Sequence, residues 1–188
     1  AAAAGGGGAA VLEGLRKSAL LRSLTAAELG RLAARSAWRE HAMGSRVVAQ
    51  GSAGWSMFFI LDGTVGIFVK PEPEAPAQKL TELGPGAFFG EMSLLLGAPR
   101  AASAVVLGTG AALAEVTKEA FQAVARNRPT ILDELIPIMA RRAHETATRA
   151  ARAEPGTADA ARQQQQILQR ATEMTAAAQR FLFAADRQ

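Results

Sequence analysis

The sequence contains no cysteine and no tyrosine, and aromatic residues make up only 5% of its 188 residues. Without cysteine the chain cannot form a disulfide, a thiolate metal site or a cysteine nucleophile. The scarcity of aromatic side chains argues against a surface that stacks nucleic-acid bases. Hydrophobic residues nevertheless reach 49%, so a core built from aliphatic side chains and alanine is expected.

Histidine and long apolar runs are also scarce. His41 and His144 are the two histidines, and they stand far apart in the chain. Neither a metal site nor a catalytic triad is expected from them. No run approaches the roughly 20 apolar residues that a membrane-spanning helix needs. We therefore predict a cytoplasmic protein that is not an enzyme and has no cofactor, and that meets a membrane only as the cytoplasmic domain of a larger membrane protein.

The basic charge does not form a block. The formal net charge is +4 and the pI is about 10.3, but the arginines are spread from Arg16 to Arg187. Proteins that bind nucleic acid concentrate Lys and Arg on one patch or stripe. We interpret the arginines as a solvated surface, and nucleic acid is not favoured as a partner.

The first part of the chain predicts helices. Residues 1–10 are only alanine and glycine and predict a linker or a disordered segment, without the features of a signal peptide. From Val11 to about Trp38, apolar residues recur at intervals of three and four, which predicts two short helices. Thr25 and Glu28 form a capping-box pattern, so the second helix should begin near Ala26.

After Trp38 the pattern changes to short β-rich runs separated by glycines, which predicts strands and tight turns. Asp62-Gly63 predicts a hairpin, because this pair readily supplies the positive φ angles of a type I′ turn. The proline-rich segment from Lys70 to Ala77 predicts a surface loop. The predicted strands are Arg46 to Gln50, Met57 to Leu61, Thr64 to Lys70, Lys79 to Leu83, Ala102 to Leu107 and Ala111 to Val116.

The last part returns to a helical pattern. Thr117 predicts a helix cap, and a longer helix from about Thr130 to Ala153 should bend at Pro137. Residues 158–186 predict a further amphipathic helix with a weak heptad seam. Through that helix we expect a homo-oligomer or a partner protein. The seam consists of Ala160, Ile167, Ala171, Met174, Ala178, Phe181 and Ala185.

The segment from Leu83 to Ser103 has the residues of an anion site. Glycines lead into a short apolar run at Met92 to Leu96, and a glycine-led helical turn exposes backbone N–H groups. Arg100 follows shortly after and can complete a cradle for a phosphate. A carboxylate at Glu91 would be repelled by that phosphate unless it accepts hydrogen bonds from a sugar hydroxyl.

These residues closely resemble the phosphate-binding cassette of the cyclic-nucleotide-binding domain family. The likeness extends upstream through the glycines and strands from Gly44 to Gly63, and it covers roughly residues 20–150. One departure is Gly51-Ser52-Ala53-Gly54-Trp55, where the family often has Gly-Glu-x-Gly-Asp. Trp55 is either buried or an exposed contact for a partner, and we expect it to be buried. The cassette matches are Phe89, Gly90, Glu91, Leu94, Leu95, Pro99, Arg100, Ala101, Ala102 and Ser103.

The resemblance implies an α+β fold: an antiparallel, jelly-roll-like β-roll with N-terminal helices, a short cassette helix and C-terminal helices. The domain would span residues 11–153, with the roll at about 39–117 and the lid helices at about 118–153. The ligand would be a cyclic nucleotide, either cAMP or cGMP. Ala at position 101 favours cAMP, because Thr or Ser at this place often favours cGMP in the family.

The resemblance also implies residue roles. Arg100 would pair with the phosphate, and Glu91 would accept from the ribose 2′-hydroxyl. Backbone amides of the cassette would contact phosphate or sugar. Arg141 and Arg142 either contact the purine or are exposed helix charges. The implied ligand-binding residues are Phe89, Gly90, Glu91, Met92, Ser93, Arg100, Ala101, Ala102, Ser103, Arg141 and Arg142.

Two functions are compatible with this pattern. The first is a cyclic-nucleotide sensing regulatory domain, in which ligand binding moves the C-terminal lid helix from Thr130 to Ala153; it would be part of a channel or another effector. The second is a degenerate cyclic-nucleotide fold that works as a docking module through the C-terminal helix at residues 158–186.

Overall fold

Two long antiparallel strands organise the fold. A computed structural model describes residues 6–70, residues 76–153 and the single residues Gln169, Glu173, Ala176, Arg180 and Phe181. In chain order the elements are α1 (Gly6–Arg16), a 3₁₀ turn (Ala19–Leu21), α2 (Ala26–Ala34), β1 (Ala37–His41), β2 (Arg46–Val48), β3 (Ser56–Val69), β4 (Gln78–Leu83), β5 (Phe88–Phe89), α3 (Glu91–Leu96), β6 (Ser103–Thr117), α4 (Lys118–Asn127) and α5 (Thr130–Ala153).

Strands β3 and β6 pair along almost their whole length, from Ser56 opposite Thr117 to Phe68 opposite Ser103. Strand β1 and the short β2 pair with β6, while β4 and the short β5 pair with β3, and all pairings are antiparallel. Helices lie before and after this sheet in the chain, and α3 interrupts it. The predicted α+β fold with an antiparallel β-roll is confirmed.

The predicted hairpin at Asp62-Gly63 is wrong, because β3 runs through these residues without turning back. Gly63 has a φ of 83° and lies opposite Ala111, where the register of β3 against β6 shifts. A Cβ at position 63 would stand 2.7 Å from the Ala111 Cα. The positive φ of Gly63 therefore belongs to an irregularity inside a long strand and not to a turn.

The β6 strand joins two strands that the sequence predicted separately, Ala102 to Leu107 and Ala111 to Val116. Gly108 and Gly110 lie between them with φ angles of 66° and 142°, so glycine again permits an irregularity within one strand. Strands β1 and β5 were not predicted. Of the predicted surface loop, residues 71–75 lie outside the described residues.

The predicted linker is wrong for residues 6–10, because helix α1 begins at Gly6. Its alanines favour helix, and its apolar residues Val11 and Leu15 are 1% and 0% exposed, so packing against the core offsets the low helix propensity of its glycines. Gly14 lies directly against Leu61 of β3, since a Cβ there would overlap the Leu61 side chain. The rest of the predicted linker, residues 1–5, lies outside the described residues.

The C-terminal helices follow the predicted order. Thr117 caps α4 by accepting a hydrogen bond from the Ala120 N–H, as predicted. Helix α5 spans Thr130–Ala153 and contains Pro137; a bend there remains a prediction. Most of the predicted helix at residues 158–186 lies outside the described residues, but the five single residues described there are helical.

An ion pair joins the N-terminal and C-terminal helices. The predicted capping box is present: the Thr25 N–H donates to Glu28 Oε2 at 2.7 Å, and the Glu28 N–H donates to Thr25 Oγ1 at 3.3 Å. Arg128, which follows α4, donates to both Glu28 oxygens at 3.3 and 3.1 Å. The hydrogen bonds from the Thr25 backbone and hydroxyl, followed by those from Arg128, lower the pKa of Glu28 to about 2.

We predict that the stabilisation from Glu28 depends on pH. Its folded-state pKa of about 2 lies below the ordinary value of 4.5, so the stabilisation is present above pH 4.5 and disappears as the pH falls towards 2. Glu28→Gln keeps a capping side chain but loses the charge. In urea unfolding at pH 7, wild type should have a larger free energy of unfolding than this variant. The difference should disappear as the pH falls from 4.5 to 2.

The control is Glu13→Gln, which removes an exposed carboxylate paired with exposed Arg16. Surface pairs contribute little to stability, so this variant should stay close to wild type at every pH. A gap for Glu28→Gln that stays constant from pH 7 to pH 2 would contradict the assignment.

Candidate ligand-binding site

A cavity of about 300 Å³ lies between the β-roll and α5. This volume is at the lower end of the range for small-molecule sites, which combine an apolar lining with a few placed polar groups. Strands β2, β3, β4 and β6, the cassette segment and α5 all contribute to its wall. Its lining residues are Val48, Ile67, Leu80, Thr81, Leu83, Phe89, Gly90, Glu91, Met92, Ser93, Arg100, Ala101, Ala102, Ala104, Arg141, Arg142 and Glu145.

The cassette helix α3 is a single short segment held between two left-handed glycines. Gly90 precedes it with a φ of 85°, and Gly97 follows it with a φ of 66°. Both angles are rare for other residues, so glycine is needed at each end. The Gly97 N–H donates to Ser93 O at 2.9 Å and closes the helix. The first amides of α3 have no partner within the helix, and they belong to residues that line the cavity.

Arg100 is the buried cation of the site, with only 5% of the residue exposed. Its Nη1 donates to the backbone carbonyls of Ser56 at 2.7 Å and Gly90 at 3.1 Å. These bonds use the two N–H groups of Nη1, and a guanidinium carries five N–H donors in all. Nη2 also donates to Ser56 Oγ at 3.4 Å. These three bonds hold the guanidinium in one orientation and leave two N–H donors for an anion.

Two glycines make room for the Arg100 guanidinium. A Cβ at Gly54 would overlap its Nε and Nη2, and a Cβ at Gly90 would stand 2.6 Å from Nη1. The peptide of Arg100 is fixed as well: its N–H donates to Ser52 O, and its carbonyl accepts from the Gly51 N–H, both at 2.8 Å. Backbone hydrogen bonds thus hold the turn in which the family's carboxylates are missing.

Burial makes the charge on Arg100 costly. Desolvation lowers the pKa of the Arg100 guanidinium, while the negative charges of Glu115 and Glu91 act in the opposite direction. A buried cation is stabilised by a partner that brings a negative charge and hydrogen-bond acceptors. The cavity side of Arg100 therefore favours an anionic ligand.

Glu91 links the cassette to helix α5. It is 3% exposed, and its Oε1 accepts from Arg142 Nη1 at 2.9 Å. The Arg142 guanidinium also lies 4.6 Å from the centre of the Phe88 ring, at cation–π distance. Arg142 is thus paired with the cassette and its side chain is only 26% exposed; a contact with the purine remains a prediction.

The other predicted binding residues fall into two groups. Phe89, Met92, Ser93, Ala101 and Ala102 line the cavity with the residues described above. Ser103 does not line it; its hydroxyl accepts from the Gln50 N–H at 3.0 Å and joins two strand ends. Arg141 lies at the cavity surface, 71% exposed and 3.9 Å from Glu145, so it is mainly a solvated charge.

The apolar wall of the cavity was not predicted from the sequence. Val48, Ile67, Leu80, Leu83 and Ala104 contribute one or two side chains from each of four strands. Alternation along a strand can indicate which side chains face inward, but it cannot show which of them meet across the roll. That depends on the register between strands that are distant in sequence.

The prediction for Trp55 is wrong: its exposed fraction is 55%. Its ring lies beside Gly97, since a Cβ there would be 3.4 Å from Trp55 Cζ3, and beside Lys118, whose Nζ is 5.4 Å from the ring centre. One lysine and one glycine cover only part of an indole. In contrast, the neighbouring Met57, Phe58 and Phe59 of β3 are buried.

Residues 38–128 match the family model described as "Cyclic nucleotide-binding domain". The chain contains a domain of this family. The match begins in β1 and ends directly after α4, so it includes the whole sheet and the cassette.

Curated relatives of the domain are regulatory proteins. The chain is 37% identical over 79 residues to the cAMP-dependent protein kinase type II regulatory subunit of Drosophila melanogaster, covering 42% of this chain and 20% of that protein. It is also 37% identical over 90 residues to a cyclic nucleotide-gated potassium channel of Mesorhizobium japonicum, covering 48% and 23%. The chain thus spans about a fifth to a quarter of the length of these relatives.

Among solved structures, a cyclic nucleotide-binding domain from Methylobacillus flagellatus has the same fold. It superposes with a TM-score of 0.62 at 24% identity, covering 80% of this chain and 86% of that one. Within the described part of our chain, no helix combines the length and apolarity needed to cross a bilayer. The same residues contain no cluster of His, Asp and Glu that could hold a metal ion.

We predict that Gly54→Ala impairs the site without unfolding the domain. The added methyl group would displace the Arg100 guanidinium, while the φ of Gly54 is not in the left-handed region. Cyclic-nucleotide affinity should fall at least about tenfold, equivalent to about 1.4 kcal/mol. Calorimetry measures the affinity, and circular dichroism checks the fold.

The matched control is Gly30→Ala in α2, where an added Cβ meets no other atom within 4 Å. Alanine favours helix more than glycine, so this variant should keep full affinity and gain slight stability. Equal affinities for Gly54→Ala and wild type would show that position 54 does not position Arg100.

Proposed function

We propose that the chain is a cyclic-nucleotide sensing regulatory domain and that it binds cAMP in preference to cGMP. One observation carries the proposal: Arg100 and Glu91 line the same cavity with opposite charges, beside an apolar wall. A cyclic nucleotide has an anionic phosphate, a ribose hydroxyl and an apolar purine face. Each part of this ligand has a chemical counterpart in the cavity.

The proposed orientation follows from these counterparts. The phosphate pairs with Arg100 and with amides at the start of α3. The ribose 2′-hydroxyl donates to Glu91, whose carboxylate has acceptor sites beyond the one used by Arg142. The purine then lies against Val48, Ile67 and Leu80, at the apolar side of the cavity.

Helix α5 is the proposed moving element. Arg142 bonds to the same carboxylate that would accept from the ribose, so ligand binding and the position of α5 depend on one group. A ligand shifts a conformational equilibrium only by its difference in affinity for the two states. We propose that the ribose hydroxyl strengthens the α5 contact by orienting Glu91, which draws α5 onto the roll.

We propose a regulatory role within a larger protein. Two curated relatives of the chain are a kinase regulatory subunit and a gated channel, and the chain covers only a part of each. In that setting the domain would be cytoplasmic, would bind nucleotide without catalysing a reaction and would pass the movement of α5 to an effector.

The first test of this function removes the cation. Arg100→Ala leaves the phosphate charge without its buried partner, a loss that typically costs about 2–5 kcal/mol. Affinity for cAMP should fall at least about tenfold by calorimetry, each factor of ten being about 1.4 kcal/mol. Arg31→Ala, an exposed arginine of α2, is the control and should bind as wild type does.

Wild-type binding at micromolar or tighter Kd supports the sensor. Unchanged affinity in Arg100→Ala would refute the site assignment. The absence of binding of either nucleotide to the wild-type chain would refute the sensor and favour the docking module.

The second test concerns the choice of purine. Ala101 is exposed at the cavity, directly after Arg100, and has no side-chain hydroxyl to offer a guanine. We predict that wild type binds cAMP more tightly than cGMP. Ala101→Thr should reduce the ratio of the cGMP Kd to the cAMP Kd by about tenfold. Ala101→Val, which has nearly the same shape without the hydroxyl, is the control. Equal ratios for the Thr and Val variants would exclude a role for the hydroxyl.

A further inference from the structure

Phe181, near the end of the chain, is packed against the core of the domain. It is 2% exposed, and its ring centre lies 6.0 Å from that of Phe121 in α4, at an interplanar angle of 55°. The Gln122 side chain donates from Nε2 to the Phe181 carbonyl at 2.6 Å. A buried side chain and a hydrogen bond thus anchor this residue to α4.

The other described residues around Phe181 form an outer face. Gln169, Glu173, Ala176 and Arg180 are helical and exposed. Their spacing of four, three and four residues is the spacing of positions on one face of a helix. Phe181 belongs to the apolar seam that the heptad pattern predicts, and at this position the seam meets α4 of the same chain.

Lys118 connects Phe181 with Trp55. Its Nζ lies 5.9 Å from the Phe181 ring centre and 5.4 Å from the Trp55 ring centre, both at cation–π distance. Its backbone N–H donates to the Trp55 carbonyl at 2.9 Å. The start of α4 is therefore fixed to residue 55 by backbone and side chain together.

Trp55 in turn lies next to the ligand site. Its ring is beside Gly97, the glycine that ends the cassette helix α3. The next residue, Ser56, provides the carbonyl that accepts from Arg100 at 2.7 Å. A continuous series of contacts therefore runs from Phe181 through Lys118 and Trp55 to the end of the cassette helix and to Arg100.

We propose that the helix predicted at residues 158–186 is an intramolecular clasp. It binds α4 through Phe181 and increases nucleotide affinity by ordering the cassette. This proposal rests on the function proposed above. A clasp that limits the motion of Gly97 and Ser56 reduces the ordering that the ligand must otherwise impose. Coupling between binding events is reciprocal, so nucleotide must also strengthen the clasp.

The binding test compares Phe181→Ala with Arg180→Ala, a neighbour on the exposed face of the same helix. Calorimetry should show a three- to tenfold loss of cAMP affinity for the first variant, the range expected for a modest coupling, and none for the second. Lys118→Met, which keeps the length and apolar character of the side chain but removes its charge, should also weaken binding. It serves as the second variant if Phe181→Ala does not fold, as judged by circular dichroism.

The distance test uses the absence of cysteine, which allows labelling at introduced cysteines alone. Spin labels at Glu119→Cys and Ala176→Cys report the separation of α4 and the C-terminal helix, since both positions are exposed. Pulsed electron paramagnetic resonance should give a narrow distribution of distances between the labels in the chain with Phe181 and a broad distribution with Phe181→Ala. Addition of cAMP to the chain with Phe181 should increase the fraction of molecules in the narrow distribution.

The outcomes separate the clasp from the proposed function. If wild type binds neither nucleotide, the proposed function fails, whereas the clasp itself is still judged by whether Phe181→Ala broadens the distances. If wild type binds cAMP but Phe181→Ala binds equally well, the coupling is refuted. Equal distance distributions for the two proteins would refute the clasp. A wild-type dimer that Phe181→Ala converts to monomer in sedimentation would show that the seam joins two chains instead.

Discussion

The site depends on keeping one buried arginine charged and oriented. Arg100 is almost fully covered, and a buried cation is tolerated only where acceptors surround it. Carbonyls of Ser56 and Gly90 supply two acceptors, and the glycines at 54 and 90 supply the space. Strand β3, the cassette and the turn before β3 are thus positioned by their contacts with a single guanidinium.

The charges around the cavity nearly balance before any ligand is considered. Three lining arginines are positive and two lining glutamates are negative, which leaves one net positive charge at the cavity. Glu91 is bonded to Arg142, and Glu145 lies beside Arg141, so the remaining charge is that of Arg100. The phosphodiester of a cyclic nucleotide carries one negative charge and would complete the balance. The same arithmetic explains why a carboxylate is tolerated in a phosphate site, because its charge is already paired with α5.

The parts that could be predicted from sequence are those encoded by adjacent residues. The segment from Phe89 to Ser103 is continuous, so Glu91 and Arg100 were identified directly, and the caps at Thr25 and Thr117 depend on residues three positions apart. Pairings between distant residues could not be predicted from the sequence. The partner of Arg142 and the exposure of Trp55 depend on how helices pack on the roll, and Asp62-Gly63 supplies a positive φ equally well in a turn or within a strand.

The pairing of β3 with β6 has a consequence for how the protein becomes functional. Ser56 lies opposite Thr117, so the central pairing joins segments whose intervening chain includes the whole cassette. Closing such a large loop costs entropy before any contact repays it, and folds dominated by distant pairings form slowly. The cassette precedes β6 in the chain, but it gains a binding cavity only when β6 has been synthesised and has paired with β3. Nucleotide recognition is therefore a late event in the folding of each molecule.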